Sequence, residues 1–202
     1  MRQSKAKKSI LEAAEKMFPN VGYGGLNMNH VAEEAGVSIG TLYYHFPDGK
    51  VSILMEMRRE ISNHYEVALK ERIGEGFIDR AASFDDGLDA LLDILIEVHR
   101  EGRLVLAAME SKVLGNLGAY DELAGSVDVD GLTQEDARLV LGVLGSLLDR
   151  FPVPGLSLDY GVRTTKIMDL LIHRFVYVES MFGTEQEFKK IIKSIIYALL
   201  TN

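Results

Sequence analysis

The stretch "SIGTLYYHF" (38–46) gathers seven residues with groups suited to a nucleic-acid duplex: Ser38, Ile39, Gly40, Thr41, Tyr43, Tyr44 and His45. Serine and threonine hydroxyls serve phosphate oxygens or base edges, Ile39 can meet a thymine methyl, Gly40 lets backbone approach closely, and tyrosine hydroxyls reach phosphate oxygens. The same types also fit a plain structural role, in which half-buried tyrosine rings pack and keep their hydroxyls wet. Residue type alone leaves both readings open.

Other chemistries find less support. The 202-residue chain has no cysteine, which excludes disulfides, zinc–thiolate sites and thiol nucleophiles and fits a reducing cytoplasm. Its five histidines form no spaced metal pair, and no glycine-rich phosphate loop follows a strand, so neither metal nor cofactor is expected. Glu110 with Ser111, or His173 with Asp169, could be drawn into a catalytic story, but helical proteins always offer such pairs and no reaction is predicted. The expectation is a protein that is not an enzyme.

The charge is uneven. The formal net charge is −8, yet the chain through Ile73 carries 10 basic and 9 acidic residues against 12 and 21 beyond it. Acidity therefore belongs to the C-terminal part, which suits a small head that approaches phosphate and a body that does not. Charged residues interrupt the start "MRQSKAKKSILEAAEKMF", so no signal-peptide apolar region is read there, and the best uninterrupted apolar run, Leu104 to Met109, is too short to span a bilayer.

The elements that must position these residues read as helices throughout. Ile10, Leu11, Ala14, Met17 and Phe18 fall at helical spacing within 4–18, stopped by Pro19 and Gly22. Asn27 caps a second helix that ends at Gly36, and Ser38 caps a third, broken by Pro47, Asp48 and Gly49. Two short helices joined at Gly36, with Ala32 small enough for close crossing and Val37 and Leu42 filling the angle, make a helix-turn-helix. A long helix covers 51–73; another opens at Ser83 and runs to Gly102, with 103–115 still helical; 115–131 reads as a Gly- and Asp-rich loop. Helices over 133–150, 159–182 and 184–200 follow, the last opened by a Thr184/Glu187 capping box. No strand alternation stands out, so the fold class is all-α with about nine helices.

"ILEAAEKMF", "GYGGLNMNHVAEEAGVSIGTLYYHF" and the following Lys50 closely resemble the N-terminal DNA-binding domain of the tetracycline-repressor (TetR) family of bacterial and archaeal transcription regulators. The resemblance covers roughly residues 9 to 54; the remainder is similar only in layout. It implies an N-terminal three-helix domain over 1–50, joined by a long helix to a ligand-binding and dimerisation domain over 51–202. Asn27 would cap the second helix near phosphate and Asn29 would reach a base edge. Ile39, Gly40 and Thr41 would lie in the major groove, with Tyr43, Tyr44 and His45 holding the backbone and Lys50 donating to phosphate. Two departures matter: three residues rather than two separate Phe46 from Lys50, and position 39, often basic in the family, is Ile.

The last two helices carry apolar residues on more than one face: Ile191, Ile192, Ile195, Ile196, Leu199 and Leu200 in one, and Ile167, Leu170, Leu171, Val178, Met181 and Phe182 around the other. Two buried faces suggest a core contact and a homodimer, whose two heads would read successive half-sites. The resemblance further implies a cavity for a small-molecule effector, with His64, Met109, Met168 and Phe175 as candidate lining and His99, Arg103, Glu110 and His173 as candidate polar anchors. The apolar middle helices make a mostly apolar effector the expectation, and Gly142 and Gly145 permit either close packing or open space. The resulting expectation is a cytoplasmic, ligand-responsive repressor released from a pseudo-palindromic DNA operator. The alternative is a small-molecule-binding or interaction protein whose helix-turn-helix reads no defined operator.

Overall fold

The computed structural model describes residues 4–115, 134–178 and 181–201, apart from the side chains of 62, 106, 109–115 and 134–136. Among the described residues the chain is all-α, with nine helices and no strand. They are α1 (Lys5–Gly25), α2 (Met28–Glu34), α3 (Ile39–His45), α4 (Lys50–Ile73), α5 (Phe77–Arg80), α6 (Phe84–Gly115), α7 (Gln134–Arg150), α8 (Gly161–Tyr177) and α9 (Glu185–Leu200). The expected loop over 115–131 lies almost wholly outside the described residues.

Two compact units emerge. Residues 4–63 and 104–115 make one, and 64–103, 134–178 and 181–201 the other, so α4 and α6 each contribute to both. The core of the first unit joins Ile10, Leu11, Ala14 and Phe18 of α1 to Val31 and Leu42 of the short helices and Ile53 and Leu54 of α4. Lys7 of α1 donates to Glu56 of α4 at 2.8 Å. Burial raises the Glu56 pKa, but hydrogen bonds from Lys7 and Arg59 and their positive charges outweigh it and hold the carboxyl below its ordinary value.

In the second unit Leu88, Leu91, Leu92 and Leu95 of α6 pack with Leu144 and Leu147 of α7, Met168, Ile172 and Phe175 of α8 and Phe188, Ile192 and Ile196 of α9. Lys193 of α9 bridges Asp85 at 2.9 Å and Asp89 at 2.8 Å on α6. The Thr184/Glu187 capping box forms as its spacing predicts, with both reciprocal bonds present.

Four boundaries differ from the sequence reading. Helix α1 continues through Pro19, whose missing N–H removes one rung, and kinks instead at Gly22, which adopts φ 61° and ψ −178°, a conformation open to glycine. Helix α6 runs straight through Gly102. Helix α8 ends at Tyr177, where Val178 turns to φ −135° and ψ 63°. The four-residue α5 has no counterpart in the sequence reading; burial of Phe77 against the second core holds it.

Candidate functional site

The helix-turn-helix forms around a left-handed residue. Gly36 takes φ 65°, and the chain reverses as Gly36 N–H donates to Glu33 O at 3.0 Å and Val37 N–H to Ala32 O at 2.9 Å. Asn27 Oδ1 accepts from Asn29 N at 2.9 Å and Ser38 Oγ from Thr41 N at 3.0 Å, so both helix starts are capped by the residues the sequence nominates. Leu42, fully buried, anchors the inner side of α3.

What remains of α3 points outward. Ile39 is 39% exposed, Tyr43 47% and Tyr44 81%. A methyl built on Gly40 would meet only Ser38 Oγ, at 3.7 Å, so the surface above it is open. The Thr41 hydroxyl sits 2.9 Å from Ser38 Oγ, and His45 Nε2 lies 3.3 Å from Ser4 Oγ with its ring edge-on to Tyr44. Asn27 and Asn29 are exposed beside it. The fold therefore exposes Ile39, Gly40, Tyr43 and Tyr44 along one side of α3, with Ser38 exposed at its start and Thr41 and His45 partly buried beside them.

Lys50 is differently placed from a simple surface cation. At the start of α4 and half-buried, it donates through Nζ to Gly24 O at 2.9 Å and lies over the Tyr23 ring at 5.9 Å, closing the C-terminal end of α1. Nζ also reaches Tyr23 O at 3.5 Å, so of the ammonium's three donors one stays available for phosphate.

The eight effector-site candidates scatter. His64 is exposed and within 2.9 Å of Glu101, and Arg103 is exposed. Met168 and Phe175 are each 1% exposed within the second core, Phe175 stacked on Phe188 at 4.2 Å. The side chains of Met109 and Glu110 lie outside the described residues. His99 and His173 converge on Asp169, a buried cluster invisible to a search for spaced histidines because its members come from α6 and α8. None of the six whose side chains are described lines the open pocket of about 510 Å³, whose walls include Ile73, Phe77, Ile78, Leu139 and Val143 together with Asp79, Arg138 and Ser146. Gly142 belongs to that wall and faces open space, whereas a methyl built on Gly145 would lie 3.3 Å from Leu158 Cδ1.

Comparison with known proteins decides the lineage. Residues 10–57 match the profile described as bacterial regulatory proteins, tetR family. The chain belongs to the TetR family. Over 139 residues it is 31% identical to the HTH-type transcriptional regulator RutR of Escherichia coli, covering 69% of this chain and 62% of RutR. Over 64 residues it is 36% identical to the HTH-type transcriptional regulator LmrA of Bacillus subtilis, covering 32% of this chain and 34% of LmrA. The matched segments thus span about three fifths of RutR and about a third of LmrA. Among solved structures, Salmonella enterica GusR superposes with TM-score 0.62 at 14% identity, over 96% of this chain and 95% of that one. The fatty acid degradation regulator FadR of Bacillus halodurans superposes with TM-score 0.60 at 15% identity, over 99% and 97%. Both likenesses establish the fold.

Within this TetR-family chain, the exposed pairs of the second unit carry a pH signature. Arg72 Nη2 donates to Glu101 at 2.6 Å, and this hydrogen bond, opposed by partial desolvation and reinforced by His64, holds the Glu101 carboxyl below its ordinary value. A depressed carboxyl contributes stability above the unfolded pKa of about 4.3 and loses it as pH falls through the folded value. Glu101→Gln should therefore be less stable than the parent at neutral pH, and the gap should close in acid. Urea unfolding between about pH 7 and pH 3 measures it; a gap that persists undiminished at the acid end would remove the pair from the account.

Proposed function

We propose that the protein is a DNA-binding transcriptional regulator, and more specifically a homodimeric repressor released from a pseudo-palindromic operator by a mostly apolar small molecule. The observation that carries this reading is the outward face of α3. Ile39, Gly40, Tyr43 and Tyr44 project from a helix held rigidly by Gly36, Ser38 and Leu42, on a chain of TetR-family descent. Ile39, Gly40 and Thr41 would read base edges; Ser38, Tyr43, Tyr44, His45 and Lys50 would fix the register on phosphates, with Asn27 and Asn29 flanking. Residues 1–50 act as the reading head and 51–202 as the body.

Dimerisation is supported by apolar side chains left exposed around the last two helices: Leu170 is 56% exposed, Met181 68% and Ile191 44%. A second copy covering them would set two α3 helices about one DNA turn apart. An effector reading is supported by the open pocket of about 510 Å³, a size within the usual range for small-molecule sites, whose lining is mainly apolar but also includes Asp79, Arg138 and Ser146. An effector that binds the released state better by about 1–3 kcal/mol would weaken operator binding by about 5- to 150-fold.

One observation favours the alternative of a head that reads no defined operator: no lysine or arginine occurs between Lys16 and Lys50. Two variants separate the readings. Thr41→Ala should relax sequence preference by about 1–3 kcal/mol of discrimination, whereas Lys50→Ala should weaken all duplexes about equally and flatten the salt slope by about one unit. If both bound every duplex as the parent does, this face would not be the reading face.

A further inference from the structure

We propose that His99, Asp169 and His173 bind a first-row divalent cation of the zinc class. The inference does not depend on DNA reading by the head.

The argument begins with donors and acceptors. His99 Nδ1 lies 2.6 Å from the Leu95 carbonyl oxygen, which can only accept, so Nδ1 carries the hydrogen. A neutral ring then turns its Nε2 lone pair toward Asp169 Oδ1, a second acceptor, at 2.9 Å. Either a proton on Nε2 or a cation seated between the two atoms balances the carboxylate. A shared proton would satisfy that contact. Yet His173 Nδ1 faces the other oxygen of the same carboxylate at 3.6 Å, beyond hydrogen-bond length. A single cation would draw on both histidines and the carboxylate between them.

The geometry is close to what such an ion requires. The three ligand atoms lie within 4.8 Å of one another. Tetrahedral zinc with bonds of about 2.0–2.1 Å spaces its ligands roughly 3.3 Å apart, so side-chain adjustment of up to about 1.5 Å assembles the site. The His99 Nδ1–H donated to a backbone carbonyl is the outer contact that orients a metal-bound imidazole and fixes its tautomer. The side chains of His99, Asp169 and His173 are 2%, 3% and 11% exposed, and aromatic rings wall the site, with Tyr65 edge-on to His99 at 4.9 Å and Tyr177 stacked on His173 at 5.7 Å. Two imidazoles and a carboxylate favour zinc and its first-row neighbours over magnesium or calcium. Three protein ligands leave a fourth position for water or a ligand donor.

The test titrates chelator-stripped full-length protein with Co²⁺ and then Zn²⁺. The proposal expects inner-sphere visible bands that saturate at one Co²⁺ per chain and are displaced by one equivalent of Zn²⁺. His173→Gln should weaken Co²⁺ binding by well over about 100-fold, beyond the 10- to 100-fold typical of losing an outer contact, while His64→Gln, altering an exposed histidine–glutamate pair, should leave it unchanged. Absence of inner-sphere bands in the parent, or parent-like affinity in folded His173→Gln, would overturn it. Should that variant fail to fold, X-ray absorption of the zinc-loaded parent decides: two imidazoles in the first shell support the site, and fewer than two refute it.

Discussion

Ile39→Glu is expected to weaken operator binding by roughly 100-fold or more while changing folding stability by only about 0.5 kcal/mol. The contrast follows from position. Ile39 opens α3 with 39% of its surface exposed and is absent from both buried cores, so replacing it removes little packing. In the proposed complex the same side chain would sit in the major groove against base edges, flanked by two phosphate backbones. A carboxylate there meets like charge on both sides, at a cost of several kcal/mol. Fluorescence anisotropy with a selected duplex, paired with urea unfolding, measures both terms. Binding within about threefold of the parent would place the reading surface elsewhere.

Phe188→Ala carries the largest expected effect on stability, a loss of about 3–5 kcal/mol. Phe188 is fully buried at the start of α9, stacked on Phe175 of α8 at 4.2 Å with the rings 4° from parallel, and Phe182 meets it edge-on at 5.4 Å. Arg100 of α6 lies over the Phe175 ring at 5.8 Å and donates to Glu185 of α9 at 2.8 Å, so the stack also anchors charged contacts. Truncation would open a cavity among three helices whose backbones cannot close it. Because α8 and α9 also present the proposed partner surface, the dimer should weaken alongside. Chemical denaturation gives the first quantity and sedimentation the second; a loss below about 1 kcal/mol would mean that the aromatic cluster repacks freely.

Much of this was legible in the sequence where the determinants are local. Asn27, Ser38 and Thr184 cap their helices through side-chain bonds spanning two or three residues, and Gly36 turns the chain by its own backbone freedom. The outward face of α3 followed from helical geometry once Leu42 was assigned inward. Readings failed where distant packing decides. Phe77 holds a helix of four residues because a core assembled from other helices receives it. Pro19 reads as a breaker beside Gly22, yet the helix continues past Pro19 and breaks only at Gly22. Lys50 reaches back to Gly24, a contact 26 residues away that no local pattern encodes. The His99, Asp169 and His173 cluster escaped the sequence for the same reason: two ligands lie one helical turn apart on α8, but the third arrives 70 residues earlier on α6.

The most direct test of DNA reading is selection of the purified full-length protein against a random duplex library, with the affinity of the enriched sequences followed across salt concentration. Recovery of a two-fold-symmetric site, bound with a steep loss of affinity as salt rises and abolished by Ile39→Glu, is the predicted result. Failure of the intact, ligand-free protein to enrich any sequence would contradict it, leaving a TetR-family chain whose exposed α3 face serves something other than an operator.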